Sequence, residues 1–498
     1  MASGSRLVLV ETWLQPLFDA EGIRAVDRWA IEEMGVPSAQ LMEAAATALA
    51  EAVAGLSPQG PIRVLCGKGN NGGDGEIAGR KLAATGFEVE VVRIFGGEVP
   101  GDFDTWLAGS AAVVDAIFGT GFSGEPREPA AAAIEAINCC GAPVVACDIA
   151  SGVDASSGEI AGIAVEADLT VSFHAAKLGQ RIAPGKWHCG ELRVVPIGIP
   201  AGAPAQPAGG TIDPAVLALA PQRGPRSTKF SSGQVTIAGA SRGLTGAVRM
   251  SSTAAIRAGA GYATVAIPAD LEPVFETGQP EVMSVGCPGG DGCLVPASAK
   301  ALLGAFERGA AGVLGPGLGR DPGTVELVRR VALEIEVPLV IDADGLNAFA
   351  GDLARLADRP AATILTPHAG ELGRLLGRDS DQIAAHRLAA AREAAVAAGA
   401  VVVLKGDDTI VTDGERVAVN AIAAPGLATA GSGDVLSGIT AALLARGLEP
   451  FAAACAAVCA HARAGRDAAR RIGSAESVIA SDVIDSIAVG LLPGVPVD

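Results

Sequence analysis

Short, nearly continuous apolar runs alternate along the chain with longer Ala-rich segments, a pattern that predicts buried strands separated by helices. In the first half the runs are IRVLCG (62–67), EVEVVRIF (88–95), AAVVDAIFG (111–119), APVVACDIA (142–150), DLTVSFH (168–174) and ELRVVPIG (191–198). Between about 199 and 228 the pattern dissolves into Pro-, Gly- and Ala-rich sequence with one brief apolar run at 215–219, so a domain boundary is expected there and the chain divides into 1–210 and 211–498. A second series follows: QVTIAGA (234–240), YATVAIP (262–268), AAGVLGPG (310–317), PLVIDADG (338–345), ATILTP (362–367), VVVLKG (401–406) and RVAVN (416–420). Two long helices are expected near 433–446 and 450–471. Strand and helix alternation of this kind implies mostly parallel sheets, so the predicted class is α/β in two domains. No internal repeat of 20–50 residues is visible.

Composition narrows the partners. The chain has 498 residues, 49% apolar and 18% charged, with 66 Gly and only 3% aromatics. Such a sequence favours close helix-on-sheet packing over aromatic platforms for nucleic acid. A net charge of −18 repels phosphate backbones and anionic membranes. An anionic ligand must then be held locally, by backbone amides at helix starts. Nine cysteines, an odd number without a CxxC pair, suggest reduced, buried thiols rather than disulfides or zinc. The apolar run LVLV (7–10) stops at Glu11, and no stretch approaches the ~20 residues of a membrane span. A cytoplasmic protein with no membrane and no nucleic-acid partner is expected, and its glycine-rich, aromatic-poor domains are of a kind that forms homo-oligomers.

In the first half, GKGNNGGDG (67–75) sits between a strand and a helical stretch. Its five glycines would let backbone amides converge on a phosphate, with Asn70, Asn71 and Asp74 adding polar side chains. A ligand-free tight turn is the bland alternative. Asp115 and Asp148 close two further strands, and Ser151 follows. In an open parallel sheet the C-terminal strand ends face one crevice, so Asn71, Asp115, Asp148 and Ser151 could meet there as oxygen donors for a monovalent or hard cation. Singly, each Asp would read as a loop cap.

From AQLMEAA (39–45) through GKGNNGGDG, DAIFGTGF and DIASGVDA, the chain resembles the YjeF N-terminal domain, the NAD(P)H-hydrate epimerase. The resemblance implies a Rossmann-like three-layer α/β/α domain. It also implies that Asn70, Asn71, Gly72, Gly73 and Asp74, the loop Gly119, Thr120, Gly121, Phe122, Ser123, Gly124 and Glu125, and Asp148 hold the substrate, while Asn71, Asp115 and Ser151 coordinate K⁺. Two positions depart from the family: Ala150 replaces the Pro of DIPSG, and Glu76 replaces an apolar residue. The substrate is a carbinolamine, and inverting its hydroxyl-bearing carbon needs proton transfers, for which Asp148 is the candidate acid/base. Lys177, in HAAKLG, reads as readily as a surface residue with a structural role.

In the second half, TAGSGDVLSGITAALLARG (429–447) joins a Gly-rich turn to a helix and sets Asp434 at the helix start. Amides around Gly431 to Gly433 could hold a transferring phosphoryl group while Asp434 takes a proton from the attacking hydroxyl. An N-cap Asp between packing glycines is the bland alternative. With STKFSSG (227–233), LTGAVRM (244–250), GPGLG (315–319), DADGLNA (342–348), TPHAGE (366–371) and LKGDDTIV (404–411), residues 225–490 resemble the ribokinase-like NAD(P)H-hydrate dehydratase. The resemblance implies a second α/β/α domain in which Ala247, Gly317, His368 and Asp434 face the hydrated cofactor. It further implies that Lys405, Gly406, Asp407, Asp408, Thr409 and Gly433 bind ADP or ATP with Mg²⁺. Thr228, Lys229 and Phe230 stand where the family has His-Lys-Gly. His368 alone would read as a satisfied loop histidine.

Together the halves imply a repair enzyme for NADHX and NADPHX, the hydrated forms of NADH and NADPH. One domain would epimerise the R and S forms, and the other would phosphorylate the S form with ADP or ATP so that it loses phosphate and returns to NAD(P)H. The alternative is a ribokinase-superfamily small-molecule kinase carrying an accessory N-terminal domain.

Overall fold

The computed structural model describes residues 11–96 and 99–494, so the apolar run at 7–10 lies outside the described residues. The chain divides into two compact units, Met1–Thr211 and Ile212–Asp498.

In the first unit a six-stranded parallel sheet runs in the order Val89–Arg93, Ile62–Cys66, Ala112–Ala116, Val144–Cys147, Leu169–Phe173, Glu191–Val195. Successive side chains of a strand point to opposite faces. Val64 and Cys66 accordingly join one apolar cluster and Leu65 the other. The first cluster is closed by the helices Ser38–Gly55 and Asn70–Ala84, the second by Ala130–Cys139. Ala45, Ala46 and Ala52 let the first helix approach closely, while Leu49 and Val53 are fully buried. Such a side chain contributes about 1.5–3 kcal/mol.

In the second unit nine consecutive strands of the main sheet run in the order Val417–Val419, Ile410–Thr412, Val401–Leu404, Thr363–Leu365, Leu339–Ile341, Ala311–Leu314, Gln234–Ala238, Tyr262–Pro268, Val282–Cys287, and Gly289–Gly290 pairs with Cys293–Leu294 in a separate short hairpin. Neighbours among the nine are parallel except the pairs made by Ile410–Thr412. Two of these strands have no counterpart in the apolar pattern. Val282–Cys287 is an edge strand whose Ser284 and Gly286 interrupt the run, and Ile410–Thr412 is three residues long. The two closing helices are Ser432–Ala445 and Pro450–Ile472. The second is punctuated as its sequence suggests: the Glu449 side chain accepts from Ala452 N, Pro450 opens the first turn, and Gly473 closes it with φ 87°.

The nine cysteines are unpaired, and Cys66, Cys147, Cys189, Cys287, Cys455 and Cys459 are buried. Burial pushes the Cys66 thiol up to about 12. Among the described residues, no helix is long and apolar enough to cross a membrane.

Two candidate active sites

The glycine-rich segment of the first unit differs from its expected form. The helix already begins at Asn70, with Gly69 as N-cap, and no residue of 67–75 has a left-handed φ. The glycines serve close approach instead. A Cβ on Gly67 would lie 1.8 Å from the Ile117 carbonyl oxygen, one on Gly72 2.1 Å from that of Gly67, and one on Gly75 2.5 Å from Ala116 Cβ. This packing seats the helix start against the ends of two strands, where Gly69, Asn70 and Asn71 line a cavity.

Asn71, Asp115 and Ser151 do come together. Asp115 is fully buried, and its carboxylate accepts from Ile117 N at 3.2 Å, Ser151 N at 2.8 Å and Ser151 Oγ at 2.6 Å. Ser151 Oγ also accepts from Phe118 N at 2.8 Å, while Asn71 Nδ2 donates to Phe118 O at 2.9 Å. Burial raises the Asp115 carboxyl to about 6 against these lowering hydrogen bonds. One carboxylate among amide, hydroxyl and carbonyl oxygens is a donor set of the hard-cation kind.

Asp148 stands beside a cavity of about 650 Å³ whose wall also includes Asp27, Asn70, Asn71, Asp74, Phe118 to Phe122, His174 and Lys177. Its backbone is left-handed, φ 65°, as is that of His174 at the next strand end. The surface reading of Lys177 is overturned. Lys177 is fully buried, and its ammonium donates to Asp148 Oδ1, to Ser172 Oγ at 2.9 Å and to Phe173 O at 3.2 Å. Three acceptors are what a buried ammonium requires. Phe173 N donates to Asp148 Oδ1 at 3.0 Å, and Gln180 Nε2 to Asp148 O at 2.6 Å. Burial, with the charges of Asp148 and Asp27, pushes the Asp74 carboxyl up to about 8, and burial followed by Asp148 raises Asp27. Asp74 thus keeps its proton at neutral pH beside the Asp148–Lys177 pair. Of the residues expected to hold substrate, Asn70, Asn71, Asp74, Gly119, Thr120, Gly121, Phe122 and Asp148 line the cavity; Gly72, Gly73, Ser123, Gly124 and Glu125 do not. Asp27 escaped sequence reading because it sits in the last turn of the helix Ala20–Arg28, outside any motif.

In the second unit, Asp342 ends the strand Leu339–Ile341 and is almost wholly buried. Its Oδ1 accepts from Lys405 Nζ at 3.1 Å and its Oδ2 from Ser437 Oγ at 3.0 Å. The next residue, Ala343, has φ 49° and ψ −122°, a region L-residues avoid. Lys405 also reaches Glu371 at 3.7 Å, and a Cβ on Gly433 would lie 3.3 Å from Lys405 Nζ. The ammonium therefore lies against the helix start. Burial opposes its charge, but Asp342, Glu371 and Asp434 outweigh burial and hold Lys405 above its ordinary value. Asp434, in the first turn after a left-handed Gly431, is raised to about 7, first by burial and then by Asp342. Sequence reading quoted DADGLNA and TPHAGE but did not single out Asp342 or Glu371.

Gly317 and Ala247 meet: a Cβ on Gly317, φ 65°, would lie 3.4 Å from Ala247 Cβ. His368 caps the helix Ala369–Leu376, its Nδ1 accepting from Gly370 N at 3.0 Å and Glu371 N at 3.3 Å. That use of Nδ1 leaves Nε2 as the protonated nitrogen, on a side chain 54% exposed. Lys405, Gly406, Asp407, Thr409 and Gly433 line a cavity of about 500 Å³ with apolar walls from Ile422, Pro425, Leu427, Leu436 and Val458. Asp408 does not. Its carboxylate is buried in a two-point pair with Arg387, at 2.7 and 2.9 Å, and anchors the turn from behind.

Residues 235–488 match the family described as NAD(P)H-hydrate dehydratase, and residues 38–107 and 97–179 match that described as YjeF-related protein N-terminus. A bifunctional NAD(P)H-hydrate repair enzyme of Salinibacter ruber is 37% identical over 96% of this chain and 96% of its own length. That of Moorella thermoacetica is 37% identical over 94% and 95%. Among solved structures, a ribokinase-like superfamily protein of Enterococcus faecalis superposes with a TM-score of 0.49 at 26% identity, covering 56% of this chain and 94% of that one.

Proposed function

The chain belongs to the bifunctional NAD(P)H-hydrate repair enzymes, and we propose that its first unit epimerises NADHX and NADPHX at Asp148 while its second dehydrates the S form at Asp434. The observation that carries the reading is the pairing of each carboxyl with a partly or fully buried lysine at a parallel-sheet strand end: Asp148 with Lys177, and Asp434 beside the Lys405–Asp342 pair.

In the first unit, Asp148 takes the proton of the substrate hydroxyl as the bond from that carbon to the ring nitrogen opens, leaving an aldehyde. Asp74, which holds a proton at neutral pH, supplies one to the nitrogen. Rotation and reclosure with the reverse proton movements give the other epimer, and both carboxyls return to their starting states. Asn71, Asp115 and Ser151 would hold K⁺, which would supply positive charge beside the loop after Phe118.

In the second unit, Asp434 accepts the proton of the S-form hydroxyl as that oxygen attacks the terminal phosphorus of ADP or ATP and AMP or ADP leaves. The Gly433 amide and the Lys405 ammonium take up the charge on the phosphoryl oxygens. The phosphorylated hydrate then expels phosphate, driven by the ring nitrogen lone pair, and loss of the neighbouring proton restores the dihydronicotinamide. Mg²⁺ bound with the nucleotide would screen its phosphates. The adenine nucleotide occupies the cavity walled by Lys405 to Asp407, Thr409 and Gly433.

The test is recovery of absorbance at 340 nm from an epimeric mixture of hydrated NADH with K⁺, Mg²⁺ and ADP or ATP. Full recovery from both epimers is expected. Recovery of only one would refute the epimerase assignment, and nucleotide consumption with a stable phosphorylated product would move the second unit to a small-molecule kinase.

A further inference from the structure

The sheet order of the first unit gives its cavity two chemically different ends. Phe95 follows the outermost strand Val89–Arg93, the helix start at Asn70 follows Ile62–Cys66, Phe118 follows Ala112–Ala116, and Asp148 follows Val144–Cys147. With neighbouring strands ~4.8 Å apart, the Phe95 end and the Asp148 end are separated by three spacings, about 14 Å. Between these ends Phe118 and Phe122 stack with ring centroids 4.2 Å apart and planes 18° from parallel. Phe95 lies 6.1 Å from Phe118, and Lys68 Nζ stands 5.3 Å above the Phe95 ring. All four line the cavity. Packing against the core accounts for the inner faces of Phe95 and Phe118, but not for a half-buried Phe122 and an exposed Lys68 at the same wall.

We propose that the ladder of Phe95, Phe118 and Phe122, with Lys68, is a subsite for the adenosine end of the hydrated dinucleotide. The inference rests on the epimerase reading and adds the direction in which the substrate lies. A purine has a flat π-face that gains from stacking on aromatic side chains, whereas the hydrated nicotinamide ring carries tetrahedral carbons and gains less. The adenine then lies at the Phe95 side of the ladder, the pyrophosphate crosses the start of the helix Asn70–Ala84, and the hydrated ring reaches past Phe118 to Asp148. Lys68, one residue before that N-cap, faces the phosphate on the adenosine side.

The test uses the full-length protein without ADP or ATP, so that only epimerisation runs. Single epimers of two substrates are supplied: NADHX, and the hydrate of reduced nicotinamide mononucleotide, which has the same ring and no adenosine. Epimers are separated chromatographically over time. Wild type is expected to show a KM for the mononucleotide hydrate at least about tenfold above that for NADHX, with similar kcat. Phe95→Leu, which keeps an apolar side chain against the core, should bring that KM ratio down about tenfold. Lys68→Met, at an exposed position, should lower the ratio severalfold. Equal KM values in wild type, or variants that weaken both substrates alike, would overturn the subsite. Failure of wild type to epimerise either hydrate would instead overturn the epimerase reading, and the subsite with it.

Discussion

Replacing Lys177 by Met tests whether the Asp148 pair is a buried, mutually dependent unit. Lys177 has no exposed side-chain surface and its partner's side chain is 14% exposed, so water cannot take over the lost contacts. Lys177→Met strands three groups at once: the Asp148 carboxylate, Ser172 Oγ and the Phe173 carbonyl. Removing one partner of a buried ion pair costs about 3–5 kcal/mol. Against a total stability of about 5–15 kcal/mol, that is a large share. The strands Val144–Cys147 and Leu169–Phe173 carry the pair, so hydrogen exchange of peptides covering them reads the first unit without interference from the second. Exchange there should accelerate roughly 10²- to 10⁴-fold. The double variant Lys177→Met with Asp148→Asn removes both charges and should recover most of the loss, leaving about 1–2 kcal/mol for the remaining unmade hydrogen bonds. Less than tenfold acceleration in the single variant, or losses that simply add in the double, would refute the reasoning.

Other consequences are as open to measurement. Asp434→Asn should slow dehydration by about 10²- to 10⁴-fold while epimerisation, followed by epimer chromatography, stays at the wild-type rate, because the two carboxyls belong to separate units. Since Asp434 must be ionised to act and is raised to about 7, dehydration kcat/KM should climb with pH and level off above that value, a profile without this rise counting against Asp434 as base. The folded state holds this proton at pH values where the unfolded chain has lost it. Stability contributed through Asp434 therefore falls as pH rises from about 4 to 7, and Asp434→Asn should flatten that part of a pH series of melting temperatures. Ser151→Ala removes a donor from the buried Asp115 carboxylate and should cost about 1–3 kcal/mol as well as the K⁺ dependence of epimerisation, which a salt-substitution assay reads. Gly72→Ala would push a methyl to 2.1 Å from the Gly67 carbonyl oxygen, and thermal unfolding should show about 1–3 kcal/mol of destabilisation; an unchanged transition would mean that the helix start is looser than drawn.

The main strands were legible because buried parallel strands read as unbroken apolar runs, and IRVLC, AVVDA and LTVSF need no context to be recognised. Strands that lean on one neighbour or span three residues, such as Val282–Cys287 and Ile410–Thr412, leave no such run. Candidate residues could be picked out where a motif keeps them adjacent, as at Asn70, Asn71 and Asp74 on the wall of the first cavity or Gly433 on that of the second. The site was illegible where partners are supplied across the fold. Nothing local to Lys177 states that Ser172, Phe173 and Asp148 surround it, and nothing in KGDD tells Asp407, on the cavity wall, from Asp408, turned back onto Arg387. The glycines of GKGNNGGDG were noticed for the wrong reason. Their lack of a side chain matters for how near two backbones come, which only the paired segment reveals.

The Ala343 backbone has an implication for anyone improving this protein. Its φ of 49° with ψ −122° is a conformation that glycine adopts freely and alanine resists, by about 1–3 kcal/mol. A directed-evolution campaign that scores heat tolerance alone will therefore be drawn to Ala343→Gly. The same exchange frees the hinge that aims Asp342 at Lys405 and Ser437, so thermal resilience and turnover should be selected together at this codon.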